Sequence, residues 1–320
     1  MKTSTTFALR ATAAAALLGL ASTAFALETS ANIELDNTYR TGTATKGGPD
    51  EGLTQSGRVE VNMTGKVGSK YFVAGKAALI AQKAGGVVTD DMWIQLGSEA
   101  GDVKLGRFEG ADLFPLAQDT VVNDAASVYK ASQLRGRKGV NVFHAAGTIN
   151  FAKGVGLEVG LIETKIVKEV KGVRPVFFVD SGPLSLKLGF EAGKIVGSGA
   201  KISGLGVTAG YDFGGFKLTG NLASGKETLT GAATKKGTSF GITGQAGPAA
   251  IGFIAGSNDF GGSPKEKVTT FYASYSLPLF DIKGATMTPA LSVSKAKDVG
   301  GVSGASLKDT SARLRFNYTF

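Results

Sequence analysis

Cysteine is absent from the 320 residues. Neither a disulfide framework nor a thiolate metal or redox site can be built. Histidine occurs once, as His144. A lone imidazole without cysteine partners cannot assemble a zinc site. A Ser–His–acid triad would have to use His144, whose neighbours Phe143 and Ala145 offer no motif. Gly204-Leu-Gly206 lacks the strand–helix setting of a phosphate loop. No catalytic, cofactor or metal site is therefore expected. A clustered basic tract is also missing, which argues against a nucleic-acid partner. Beyond residue 26 no apolar run is long enough for a transmembrane helix.

What is present begins at the N-terminus. Lys2 and Arg10 precede the apolar run Ala11–Leu20, and Ala24-Phe25-Ala26 follows. This pattern reads as a secretory signal over residues 1–26, cleaved after Ala26, and the chain is expected to be exported. Residues 27–320 then form one domain. Without Lys2 and Arg10 it holds 33 basic against 26 acidic residues, a net charge of +7. Glycine is abundant, 47 of 320, against a usual share of about 7%. It is dispersed through apolar segments as well as turns, which points to many turns and tightly curved strands.

Alternation with period two recurs along the chain. Val59, Val61 and Met63 share one face, with Arg58, Glu60, Asn62, Thr64 and Lys66 on the other. Leu184, Leu186, Leu188 and Phe190 oppose Ser185 and Lys187. At the C-terminus Ala312, Leu314, Phe316, Tyr318 and Phe320 oppose Ser311, Arg313, Arg315, Asn317 and Thr319. Connections alternate between short turns and long loops, seven and eight of them by the spacing of the strands, which predicts sixteen strands. An even number of half-polar strands with unequal connections describes a transmembrane antiparallel β-barrel. Closure follows because an open edge in a bilayer would leave backbone groups unpaired at several kcal/mol each. Sixteen strands enclose an aqueous lumen.

The longest connection runs from Phe108 to Arg135 and is acidic at Glu109, Asp112, Asp119 and Asp124. A loop of this length is an exposed surface loop or a functional one folded into the barrel. Ahead of it, Ile94-Gln-Leu-Gly-Ser-Glu-Ala-Gly-Asp-Val-Lys-Leu-Gly-Arg107 resembles the strand–turn–strand of the general diffusion porins of Gram-negative outer membranes. The pattern there is roughly G-L-x-x-x-x-G-x-x-x-x-G-R, and this chain departs from it at Gln95. The similarity is greatest to porins of the β-proteobacterial type. It implies an outer-membrane homotrimer with lipids and lipopolysaccharide around it, and a third loop folded into the lumen as a constriction. It also implies Phe320 as the signal for the outer-membrane assembly machinery.

An Arg or Lys facing lipid costs roughly 2–4 kcal/mol at mid-membrane. Arg58, Lys66, Lys76, Arg107, Arg313 and Arg315 are accordingly expected to line the pore. Arg135, Arg137 and Lys138 are expected to open strand six and join them. Glu60 and Glu158 partly offset this basic wall. Fixed positive charge at a water-filled narrowing concentrates anions and repels cations. The expected function is passive diffusion of small hydrophilic solutes and ions, with weak to moderate anion preference. A substrate-specific channel for a sugar, dicarboxylate or phosphate is the alternative, and a plugged structural barrel a third class. Trp93, Tyr71, Tyr211, Phe316 and Tyr318 are expected in interfacial girdles.

Overall fold

The structure is a computed structural model that describes residues 27–139 and 141–320. The expected leader, residues 1–26, lies outside the described residues. Sixteen antiparallel strands form a single sheet. The first eight are β1 (Leu27–Thr41), β2 (Gly52–Val67), β3 (Tyr71–Gln82), β4 (Val87–Ser98), β5 (Gly101–Arg107), β6 (Phe143–Ala152), β7 (Val155–Glu163) and β8 (Val170–Ser181). They are followed by β9 (Leu184–Ile195), β10 (Lys201–Asp212), β11 (Phe216–Thr228), β12 (Lys235–Ala246) and β13 (Ala249–Asp259). The last three are β14 (Glu266–Tyr275), β15 (Ala285–Lys297) and β16 (Ser306–Thr319). Past Ser276, Leu277–Pro278 prolongs β14 along the same neighbour, β15.

Each strand pairs with the next, and β1 pairs with β16 from Asn32↔Thr319 to Thr41↔Thr310. Ala31 and Phe320 exchange both backbone hydrogen bonds at 2.9 Å. The sheet is therefore closed, with no unpaired edge.

The register keeps one parity around the cylinder. On the polar face Thr270 of β14 faces Ser294 of β15, Ser292 of β15 faces Ser311 of β16, Arg315 of β16 faces Asp36 of β1, and Asp36 faces Ser56 of β2. On the apolar face stand Leu205, Leu222, Phe240, Phe253, Phe271 and Leu291, each at least about a third exposed. Trp93 departs from the girdle expected for it. Its cross-strand partner is Lys76, so it stands on the polar face, and the Lys104 ammonium lies 4.6 Å from its ring centroid. Tyr71, Tyr211 and Tyr318 do lie exposed near the short-turn ends.

A one-layer barrel has no core between sheets. Its principal buried apolar cluster joins Leu113, Phe114 and Ala131 of the third loop to Val176, Ala223, Ile254 and Tyr272 of the strands. That loop runs over 108–142, longer than expected, because β6 begins only at Phe143. Gly136, Arg137 and Asn141 adopt positive φ, which breaks extended pairing there. Arg135, Arg137 and Lys138 consequently belong to the loop and do not open β6.

Candidate functional site: the third loop against the polar face

The loop is tied down at its root. Arg107 Nε donates to the carbonyls of Thr89 (3.1 Å) and Asp90 (3.0 Å), and Nη1 to those of Lys138 (2.9 Å) and Gly139 (3.2 Å). Its cross-strand partner is the exposed Met92. The guanidinium clamps backbone carbonyls, where a free pore-lining cation was expected. Arg135 pairs with Glu109 (3.1 Å) and Asp112 (3.3 Å) within the loop. Arg137 reaches Asp90 (3.1 Å) and Asp91 (2.9 Å), and Lys76 shares Asp91 at 3.0 Å. Phe108 stacks on His144 with ring centroids 3.9 Å apart. Lys138 forms no ion pair among the described residues.

Beyond the root the loop meets polar-face side chains of β7 to β16. Glu158 accepts from the Ala111 amide (2.9 Å), and Arg174 donates to the carbonyls of Ala111 (2.8 Å) and Ala131 (3.2 Å). Glu191 accepts from the Tyr129 hydroxyl (2.5 Å) and the Leu134 amide (3.1 Å). Burial and the Glu191 carboxylate push the Tyr129 hydroxyl above its ordinary range, so it stays protonated and donates. Asn221 donates to the Pro115 carbonyl (3.0 Å) and Asn258 to that of Ser127 (2.7 Å). Asp124 takes the Thr270 hydroxyl (2.5 Å) and pairs with Lys130 (3.0 Å). Ser294 accepts from the Ala125 amide (2.8 Å), and Asn123 donates to Ser311 (2.7 Å).

Glycines shape the surface the loop packs on. A Cβ at Gly204 or Gly225 would overlap the Tyr129 ring or hydroxyl, and one at Gly241 would come within 2.8 Å of Phe114. These glycines, on the polar parity of β10, β11 and β12, make the recess that receives the two rings.

The loop tip meets the seam where the barrel closes. Asp119, at φ 54°, accepts Arg313 Nη2 on its carbonyl (2.6 Å) and Arg315 Nη1 on its carboxylate (3.1 Å). Arg315 also grips Asp36 through two bonds, at 2.7 and 2.8 Å, and lies 3.4 Å from Glu34. Arg58 pairs with Glu34 (3.0 Å) and Glu60 (3.4 Å), and Arg40 with Asp309 (2.7 Å). Lys66 stands apart near the first short turn, 4.1 Å from the Phe72 ring centroid. The basic residues named from the sequence thus fall into three groups: Arg58, Arg313 and Arg315 at the seam, Lys76, Arg107, Arg135, Arg137 and Lys138 about the loop root, and Lys66 alone.

Sequence reasoning missed Asp36, Glu34 and Asp91, which answer these cations, and Arg174 and Glu191, which hold the loop. Parity within each strand was the available signal. Replacing Arg174, 2% exposed, by methionine leaves the Ala111 and Ala131 carbonyls without their donor. A cost of about 1–3 kcal/mol for each such buried group is expected. It would be read as a lower temperature for loss of compact gel mobility and as protease cleavage within 111–131. Unchanged melting and protease resistance would refute this role.

No protein-family model matches the chain, and no curated protein matches it. Solved structures do. OmpT of Vibrio cholerae, an outer membrane protein in its trimer form, superposes with TM-score 0.69 at 11% identity, over 93% of this chain and 100% of that one. The anion-selective porin from Comamonas acidovorans gives TM-score 0.64 at 18% identity, over 92% and 100%. A mutant of Rh. blastica porin gives TM-score 0.56 at 14% identity, over the same shares. The fold is that of the outer-membrane barrels. At these identities the likeness establishes the architecture, and the porins among the neighbours share it along nearly the whole described chain.

Proposed function

We propose that the chain is an outer-membrane porin, a water-filled channel for passive diffusion of small hydrophilic solutes and ions. The observation that carries this reading is the parity of the closed sheet. One face is apolar and exposed, suited to lipid, and the other is polar and charged, suited to water. In this reading the polar face lines the lumen, and the third loop lies across it and narrows it beside the Arg313–Arg315 seam. Assembly as a homotrimer, export by a leader over residues 1–26, and a role for Phe320 in assembly belong to the same proposal. The V. cholerae neighbour described as a trimer supports the first of these.

Selectivity follows from charge pairing. The basic ladder expected from the sequence is answered by acids: Glu34, Asp36 and Asp119 at the seam, Asp90 and Asp91 at the root. Opposite charges this close leave little net field in the lumen. We therefore place the anion preference at the weak end of the expected range. In planar bilayers under a tenfold KCl gradient, the reversal potential should have the anion sign. Its size should be a small fraction of the roughly 59 mV limit for a singly charged ion. A cation-signed potential would reject the preference, and membranes that stay closed would reject the channel.

A further inference from the structure

The wall of the barrel opens where the third loop leaves it. β5 and β6 pair from Gly101↔Ile149 only as far as Leu105↔Ala145. β4 continues beside β5 to Met92↔Arg107, and β7 beside β6 to Phe143↔Glu163. Between Arg107 and Phe143 the two strands part, and a cavity of about 720 Å³ lies in the gap. Its lining comes from both faces of the sheet. Met92 and Arg107 stand on the apolar face, where Met92 is exposed beside Ile94. His144 and Ile162 stand on the polar face, His144 stacked on Phe108 and Ile162 packed against Leu134 of the loop. Gly139 and Val142 complete the lining from the loop. The cavity thus crosses the one-layer wall. Irregular backbone at membrane depth is tolerated where it lines a cavity of this kind.

Two cations line this mainly apolar space without a carboxylate partner among the described residues. Arg107 uses Nε and Nη1 on four carbonyls, which fixes the guanidinium and leaves the N–H groups of Nη2 unused. Lys138 is the second. The acids nearby are committed elsewhere, Asp90 and Asp91 to Arg137 and Glu109 to Arg135. Glu169 lies against Gly139, pairs with neither cation and does not line the cavity. His144 Nδ1, in the cavity wall, is buried with no hydrogen-bond partner, and buried polar atoms rarely stay unpaired. Charge in apolar surroundings calls for a counter-charge that also forms hydrogen bonds. A fixed guanidinium with unused N–H groups suits a carboxylate, and an ammonium adds a point charge toward it. The volume falls within the roughly 300–1,000 Å³ of small-molecule sites. We propose that this cavity binds a small single-chain carboxylate. The head group lies on Arg107 and Lys138, and the alkyl chain crosses the wall along Met92, Val142 and Ile162. The site goes beyond the channel reading and requires only the barrel.

The test uses the full chain purified in neutral detergent and octanoate carrying a photoreactive diazirine on its alkyl chain. Crosslinks are mapped by peptide mass spectrometry, with unlabelled octanoate, octanol and acetate as competitors. Label should concentrate on Met92 and on the segments around Val142 and Ile162, and octanoate should displace it. Octanol, which lacks the charge, and acetate, which lacks the chain, should each compete at least about fivefold less well. Lys138→Gln should weaken octanoate by about fivefold, the worth of one unit charge at about 4 Å through water, and Lys138→Arg should restore it. Compact gel mobility of each variant verifies folding. Label spread evenly over the apolar band would overturn the site, as would equal competition by octanol or an unchanged affinity in Lys138→Gln. Conductance keeps this result apart from the channel reading. A wild type that conducts but shows no displaceable label at these segments rejects the site alone. One that is labelled there but never conducts rejects the channel alone.

Discussion

Replacing Gly225 by valine should lower single-channel conductance and bring on closure at smaller voltages. A Cβ at this position, on the polar face of β11, would overlap the Tyr129 ring. Tyr129 cannot retreat into the wall, because its hydroxyl is held by Glu191 and Ser239 donates to its carbonyl. The strain falls on the loop, which must lift from the wall toward the proposed lumen. Overpacking of this kind costs about 1–3 kcal/mol, which shifts a docked-to-undocked equilibrium roughly 5- to 150-fold. A control is available on the same strand. Gly220 lies on the apolar face, a Cβ there meets nothing within 4 Å, and Gly220→Ala should conduct as the wild type does. Adding Tyr129→Ala to Gly225→Val removes the clash and should restore a steady conductance. A Gly225→Val channel indistinguishable from the wild type would mean that the loop does not narrow the pore.

The same pair of residues illustrates how far the sequence can be read. Strand number and the position of the third loop follow from alternation and turn spacing, because these are local properties of an extended chain, and closure follows from the cost of an unpaired edge in a bilayer. The glycines of β10 to β12 are visible in the sequence as an excess, yet their purpose is not. Gly225 and Tyr129 are far apart along the chain and meet only once the loop has docked. The role of Arg107 is hidden in the sequence for a related reason. Its place at the end of a strand is legible, but the four carbonyls it serves come from two other segments. For Arg135, Arg137 and Lys138 the error is one of boundary, caused by backbone at Gly136 and Arg137 that leaves the extended region. Charge was the least legible property. Basic residues could be placed on the polar face by parity, whereas their pairing depends on cross-strand register, such as Glu34 opposite Arg58 and Asp36 opposite Arg315.

That pairing leads to the second large effect, a gain of anion selectivity in Asp36→Asn. Asp36 accepts two bonds from Arg315 and lies 3.8 Å from Arg313 Nε. Asparagine is nearly isosteric and retains one acceptor oxygen, but it removes the negative charge. Two neighbouring guanidiniums are then left facing mainly Glu34 and Asp119. One unit charge acting at about 4 Å through water is worth about 1 kcal/mol, favouring the anion and disfavouring the cation by roughly fivefold each, so the ratio of anion to cation permeability should rise by up to roughly thirtyfold. The effect should shrink as salt is raised, since the Debye length falls from about 10 Å at 0.1 M to about 3 Å at 1 M. Arg315→Gln should move the reversal potential the opposite way, and the Asp36→Asn/Arg315→Gln double variant should return close to the wild type. The sign of each shift is fixed by the charge removed, so a general loss of structure cannot imitate the set. If Asp36→Asn leaves the reversal potential where it was at 0.1 M salt, the seam of Arg313 and Arg315 lies away from the narrowing, and the selectivity of the channel is set elsewhere on the polar face.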